Sequence, residues 1–331
     1  MRAHTRRKQV DMDSLNTVTS PPRSPLKFFL LVFAVSLPFW LADPLVGHQL
    51  VPGVPVTALI VVFCPSAVAV ILVYRESNKA GVRGLLKRAF DYNRIRAKIW
   101  YAPMLLLMPV VTISSYGWMR WMGVPLPVPQ IRVVATLAIS LAIFILALGE
   151  ELGWSGYAID PMQDRWGALP ASILLGLVWA IWHIVPLVQV HRSPAWIAWW
   201  CLGTVAARVL IVWLYNNTGK SVFAAAVFHA TVNVTWQLFP IRGSYWDPRV
   251  NGVIMAIAAL VVVAVWGPRT LAGFRDGSVY QLRRRLRFEL EIQYLSSKHP
   301  LGAARLREAD SQKGMTDKKS KGKADPSLRS G

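Results

Sequence analysis

The sequence predicts an all-α, polytopic transmembrane helical bundle of about eight spans, on three observations: an apolar composition, apolar runs of spanning length, and an uneven spread of charge. Of 331 residues, 54% are hydrophobic and 15 are tryptophan, with a mean hydropathy of +0.37. That is too apolar for one soluble domain of this length. A bilayer core of about 30 Å takes about 20 helical residues, and runs of that kind fall at 26–46, 54–74, 99–119, 133–158, 170–190, 195–215, 221–239 and 250–267. The formal net charge is +20, but the arginines and lysines gather in the termini and one loop. This is a topology pattern rather than a nucleic-acid-binding face, and no nucleic-acid partner is expected.

Residues 1–25 form a basic lead with Arg2, Arg6, Arg7, Lys8 and Arg23 and no small-residue cleavage site, the pattern of an uncleaved signal anchor. Residues 26–268 hold the bundle, with its core at 99–240. The turn after the first span has no lysine or arginine, whereas the loop after the second carries Arg75, Lys79, Arg83, Lys87, Arg88, Arg94, Arg96 and Lys98. A further basic cluster, including Arg269, Arg275 and Arg283, follows the eighth span. An even number of spans puts both termini on one side, and the positive-inside rule makes that side the cytoplasm of a cell-membrane protein.

Residues 269–308 form a basic juxtamembrane segment, in which "VYQLRRRLRFELEIQYL" has the pattern of an amphipathic helix on anionic lipid. Residues 309–331 lack the apolar side chains needed to fold and are expected to be a disordered tail. Trp40, Trp118, Trp121, Trp199 and Trp200, near span ends, suit an interfacial aromatic belt. Cys64 and Cys201, the two cysteines, each lie in an apolar run and provide neither a disulfide framework nor a cysteine zinc cluster.

Within the spans the strongly polar side chains are few: Glu150 and Glu151 in the fourth, His183 in the fifth, Arg208 in the sixth, His229 and Asn233 in the seventh. An ionised group at mid-bilayer costs about 3 kcal/mol on insertion scales, so such residues mark a functional site. Counting about 1.5 Å per residue, Glu150, Arg208 and His229 fall at similar depths with His183 somewhat deeper, and a cleft from the cytoplasmic side is expected to reach them. "HATVN" stacks His229 and Asn233 on one helix face, and "WAIWH" sets Trp179 beside His183 in the same way. Glu150 and Glu151 stand about 100° apart around their helix, so one can face a cavity while the other braces it.

Two carboxylates, two imidazoles and an amide can activate water against a carbonyl: an acid takes the proton, imidazole shares it or ligates a metal, and the amide donates to the oxyanion. With no serine in a nucleophile setting, amide hydrolysis by water is favoured over an acyl-enzyme. Acid and histidine in a bundle also suit a proton- or solute-coupled transporter, although the discontinuous helices or repeats of that class are not evident.

At these residues the chain resembles the CAAX-protease and bacteriocin-processing (CPBP, or Abi) intramembrane proteases. The family motif EExxxR is matched by "EELGWS" from Glu150, FxxxH by "WAIWH" ending at His183, and HxxxN by "HATVN" from His229; "WLYNNTGKS" is similar to its connecting turn. The resemblance implies a CAAX-protease-like fold and an endopeptidase that cuts a membrane-associated protein or peptide, with Glu150, Glu151, His183, His229 and Asn233 as the catalytic set. It leaves room for a divalent metal such as zinc on Glu150, His183 and His229, and implies no other cofactor. Two positions depart from the family. Trp179 replaces a phenylalanine, and Ser155 replaces the arginine that would neutralise Glu151. Arg208 is expected to supply that charge from the neighbouring helix; otherwise the chain is a catalytically inactive member acting as a binding or immunity protein.

Overall fold

Alternation of caps and apolar runs sets the architecture. The computed structural model describes residues 23–273 apart from 48, 52, 53, 241, 242 and 244. The amphipathic segment from 274 onward, the tail, and the basic lead up to residue 22 lie outside the described residues. The first helix, α1 (Pro25–Val46), starts where the Ser24 hydroxyl accepts the Lys27 N–H and Pro25 sets the first turn, and stops at Gly47, whose φ of 65° closes the helix. A two-stranded antiparallel ribbon, β1 (Gln49–Val51) and β2 (Val54–Pro55), leads to the short α2 (Ala58–Val61) and then to α3 (Cys64–Lys87). The expected second span is thus corrected. Its first residues form a ribbon and a broken helical turn, and its helix runs on past residue 74 with an interruption at Ser77 and Asn78.

Next come α4 (Tyr101–Trp121) and α5 (Val133–Gly153). The chain then makes a π turn (Trp154–Ala158) and continues as α6 (Ile159–Trp166), so the fourth helical run outlasts its expected end at 158. After Gly167 follow α7 (Ala168–Gln189), α8 (Pro194–Asn217), α9 (Val222–Leu238) and α10 (Pro248–Trp266). Seven helices among the described residues are long and apolar enough to cross a membrane; α9, at 17 residues, is shorter. The fold is an all-α polytopic bundle, and the chain is an integral membrane protein.

Helix α8 is the axis of the bundle. It packs against α7, α9 and α10, and every residue from Ala206 to Tyr215 is buried. Helix α5 lies between α3 and α9, and α4 closes the side formed by α9 and α10. Leu26, Leu41, Ile113, Val134, Leu137 and Val265 point outward, as expected for helices whose solvent on that face is lipid. Gly149 and Gly153 form a small-residue stripe that lets α5 approach the start of α3. A Cβ at Gly153 would meet the Pro65 carbonyl carbon and oxygen at 2.6 Å, and one at Gly149 would meet the Phe63 ring at 2.7 Å. The paired glutamates sit between these glycines, so the side of α5 that seals onto α3 fixes where the acids face.

Candidate active site

The end of the bundle that carries the basic 75–98 stretch, the end of α3 and the turns after it, is tied down by polar contacts. A π turn leaves backbone groups without the usual helical partner, and here the Gly156 carbonyl accepts from Arg23 Nη1 at 3.1 Å and Arg88 Nη1 at 2.9 Å. Arg88 also donates to the Tyr215 hydroxyl at 2.6 Å and the Lys220 carbonyl at 2.9 Å. Asp160 takes the Tyr215 hydroxyl at 3.1 Å and Lys220 Nζ at 2.7 Å. Asp91 caps α9 through the Ser221 hydroxyl at 2.6 Å and the Phe223 N–H at 3.1 Å. Together these contacts hold the π turn, the end of α8 and the start of α9, which carry or flank the polar residues of the site.

One turn inward, the two acids have different surroundings. Glu151 is fully buried: its Oε2 accepts from Arg208 Nη1 at 2.9 Å and from the Ser155 hydroxyl, and its Oε1 lies 3.0 Å from His229 Nδ1. Arg208 is also fully buried, with its guanidinium carbon 4.2 Å from the centre of the Trp179 ring. The cation expected to replace the missing family arginine is therefore in contact with Glu151. Ser155 and Arg208 bind the same carboxylate oxygen, so the hydroxyl adds a hydrogen bond where the charge comes from another helix.

Glu150 takes a different pair of partners. Its Oε2 accepts the indole N–H of Trp179 at 2.6 Å and that of Trp154 at 3.3 Å, while Oε1 has no hydrogen bond among the described residues. Glu150, Trp179, His183, His229 and Asn233 line one cavity of about 500 Å³; Glu151, Ser155 and Arg208 lie behind its wall. The Asn233 amide has no hydrogen bond among the described residues and remains available to a ligand. His183 Nδ1 is 2.9 Å from the Trp179 carbonyl oxygen. A carbonyl only accepts, so Nδ1 carries a proton and the neutral ring keeps its lone pair on Nε2. Trp182 and Trp200 flank that imidazole with ring centres at 4.7 and 5.2 Å.

The cavity extends away from the end that the spacing argument favoured. From Glu150 the cavity runs toward Ile139 on α5, Pro186 and Leu187 on α7, Trp196 on α8, Trp236 on α9 and Asn251 on α10. All of these lie at the helix ends away from the 75–98 stretch. Among the described residues none of 75–98 lines the cavity, so its lining follows the end opposite to the one the spacing argument favoured.

Sequence reasoning did not find the two indole donors on Glu150. The i+4 spacing of Trp154 held that signal, whereas Trp179 read only as an aromatic neighbour of His183. Among the described residues, no three His, Cys, Asp or Glu side chains converge as metal ligands. Glu150, His183 and His229 thus line a common cavity without converging as a ligand set. The donor set does not fit a zinc ion as arranged.

A membrane bundle that seals one acid behind a cavity, and opens a second acid with two histidines and an amide onto it, has the parts that intramembrane hydrolysis needs. Residues 132–235, from the start of α5 into α9, match the family model described as type II CAAX prenyl endopeptidase, Rce1-like. The chain is also 25% identical over 276 residues to CAAX prenyl protease 2 of Methanococcus maripaludis, covering 74% of this chain and 96% of that relative. Both likenesses are to CAAX-type prenyl endopeptidases, and they support a membrane protease.

Proposed function

We propose that the protein hydrolyses a peptide bond of a membrane-associated protein or peptide with water activated by Glu150. The observation that carries this reading is the contrast between the acids: Glu151 is saturated and sealed, whereas Glu150 lines the cavity with Oε1 unpartnered. The Trp179 and Trp154 N–H groups fix the carboxylate through Oε2, which leaves Oε1 for a water. That water attacks the substrate carbonyl carbon as its proton passes to Glu150. The oxyanion is met by the Asn233 amide N–H₂. When the C–N bond breaks, the same proton moves from Glu150 to the leaving nitrogen, which yields an acid and an amine. His183, with its lone pair on Nε2, accepts the proton released by the new carboxylic acid.

His229 is held by Glu151, and through it by Arg208, so the sealed acid sets the orientation of a cavity-lining ring. No step in this scheme runs through a metal. A membrane-embedded fluorogenic peptide tests it: cleavage is expected to survive exhaustive chelation, and intact-mass analysis with hydroxylamine present should show neither a covalent adduct nor a hydroxamate product. Activity lost on chelation and restored by zinc would refute the scheme, as would a trapped acyl-enzyme.

The name of the methanogen relative points to a prenylated C-terminal segment as substrate. Among the described residues most of the cations gather at the end tied down by Arg88 and Asp91, including exposed Arg75, Lys79, Arg83 and Lys87 along α3, beside an apolar groove floored by Val70 and Val82. We place this end, with both termini and its anionic-lipid contacts, on the cytoplasmic side of the cell membrane. The cavity then extends toward the opposite side. In a variant lacking Cys64 and Cys201, Ser193→Cys should react with an impermeant maleimide on intact cells and Lys79→Cys only after permeabilisation. The reverse pattern would overturn this orientation.

A further inference from the structure

Helix α3 carries a second concave surface, which shares no lining residue with the cavity of the paired acids. A groove of about 830 Å³ runs along it, from Val70 and Ile71 across the interruption at Ser77 and Asn78 to Lys87. Those two residues leave helical geometry, Asn78 with a left-handed φ of 54°, so the chain bends and begins a second arm at Lys79. Gly81 leaves room for the bend, since a Cβ there would meet Val73 Cγ1 at 2.9 Å. The arm has two sides. Leu85 is buried, with its Cδ1 3.0 Å from where a Cβ on Gly156 would stand, while Lys79, Arg83 and Lys87 recur at i+4 spacing on the exposed side.

Arg75 joins those three at the groove, and among the described residues none of the four cations pairs with a carboxylate. Glu76, the acid nearest in sequence, takes the Tyr157 hydroxyl at 2.5 Å and lies 3.9 Å from Arg23. Like charges at i+4 spacing repel one another. Membrane topology asks only for cations on one side, not for four of them around one apolar floor. That floor continues the outward surface of the apolar first half of α3, where Ile71 is exposed. The groove therefore leads from hydrocarbon to a cluster of uncompensated positive charge, the same order of parts as in a lipid with a negative head.

We propose that this groove binds one anionic phospholipid, with the phosphate among Arg75, Lys79, Arg83 and Lys87 and an acyl chain along Ile71, Val82 and Leu86. The site is independent of the reaction at Glu150, but it is not isolated from it. The far side of the arm holds the π turn, through Leu85 beside Gly156 and through Arg88 on the Gly156 carbonyl at 2.9 Å. A lipid in the groove thus steadies the turn that follows the paired acids.

The test titrates the full chain, in neutral detergent, with phosphatidylglycerol and with phosphatidylcholine of the same acyl chains, and reads retention by native mass spectrometry alongside the unfolding midpoint. One phosphatidylglycerol is expected to stay bound and to raise the midpoint at concentrations where phosphatidylcholine does neither. Lys79→Gln with Arg83→Gln should weaken retention about ten- to thirty-fold, the worth of two cations beside anionic lipid. Leu86→Gln, which keeps all four cations, should weaken it as well. Arg96→Gln with Lys98→Gln removes the same charge from exposed positions outside the groove and should change little. Equal retention of the two lipids would overturn the site, and so would equal losses in the two double variants. Displacement of the lipid by an equal concentration of its chainless headgroup, glycerophosphoglycerol, would show a bare anion site and overturn the lipid as occupant.

Discussion

Glu150→Gln is expected to lower kcat by about a hundred- to ten-thousand-fold, the usual contribution of a general acid-base group, with the protein still folded. Glutamine keeps the shape and an oxygen for the Trp179 N–H, but it cannot take a proton from water. The acid lines the cavity and its free oxygen has no structural partner, so little of the packing depends on its charge. The measurement is cleavage of a membrane-embedded peptide alongside the unfolding midpoint in detergent. An unchanged rate would remove Glu150 from the chemistry, whatever the geometry allows. If the parent protein cleaves nothing across a broad peptide panel, the silent binding or immunity member becomes the better account.

Arg208→Gln should behave differently, with stability lost first. The substitution leaves the Glu151 carboxylate sealed in the core with a serine hydroxyl and an imidazole for company. Breaking a buried pair by removing one partner costs about 3–5 kcal/mol because the remaining charge is uncompensated. A large fall in the unfolding midpoint is expected, with activity falling as His229 loses its anchor. The charge-neutral double variant Glu151→Gln with Arg208→Gln should recover much of the midpoint, since an amide pair needs no counter-charge. If Arg208→Gln keeps near-normal stability and cleavage, the arginine does not stand in for the residue missing at Ser155.

Much of this was legible in the sequence, since a lipid-facing helix must be apolar for about twenty residues and a buried charge must be rare. Those two constraints marked the runs of α1, α4, α5 and α7 to α10 and singled out Glu150, Glu151, His183, Arg208, His229 and Asn233 as the polar interior. What the sequence hid follows from the same physics. The ribbon at β1 and β2 is built from the apolar residues Leu50, Val51, Val54 and Pro55, which continue the hydrophobicity of the next span. A π turn leaves no compositional mark, so α6 looked like a loop after the fourth span. Periodicity placed each polar residue on its own helix but could not say toward which helix ends the cavity between them extends. Nor does a tryptophan announce whether its ring or its N–H will be used.

That last ambiguity bears on how the site can change. Trp179 uses both: its edge donates to Glu150 and its face carries the guanidinium that neutralises Glu151. Restoring the family's residues one at a time should therefore fail. Ser155→Arg would push a second cation into a filled space, and Trp179→Phe would remove the shorter of the two indole hydrogen bonds on Glu150. Positions 155, 179 and 208 are coupled like tumblers of one lock, and homologues are expected to have inherited one complete setting or the other, with mixed settings selected against.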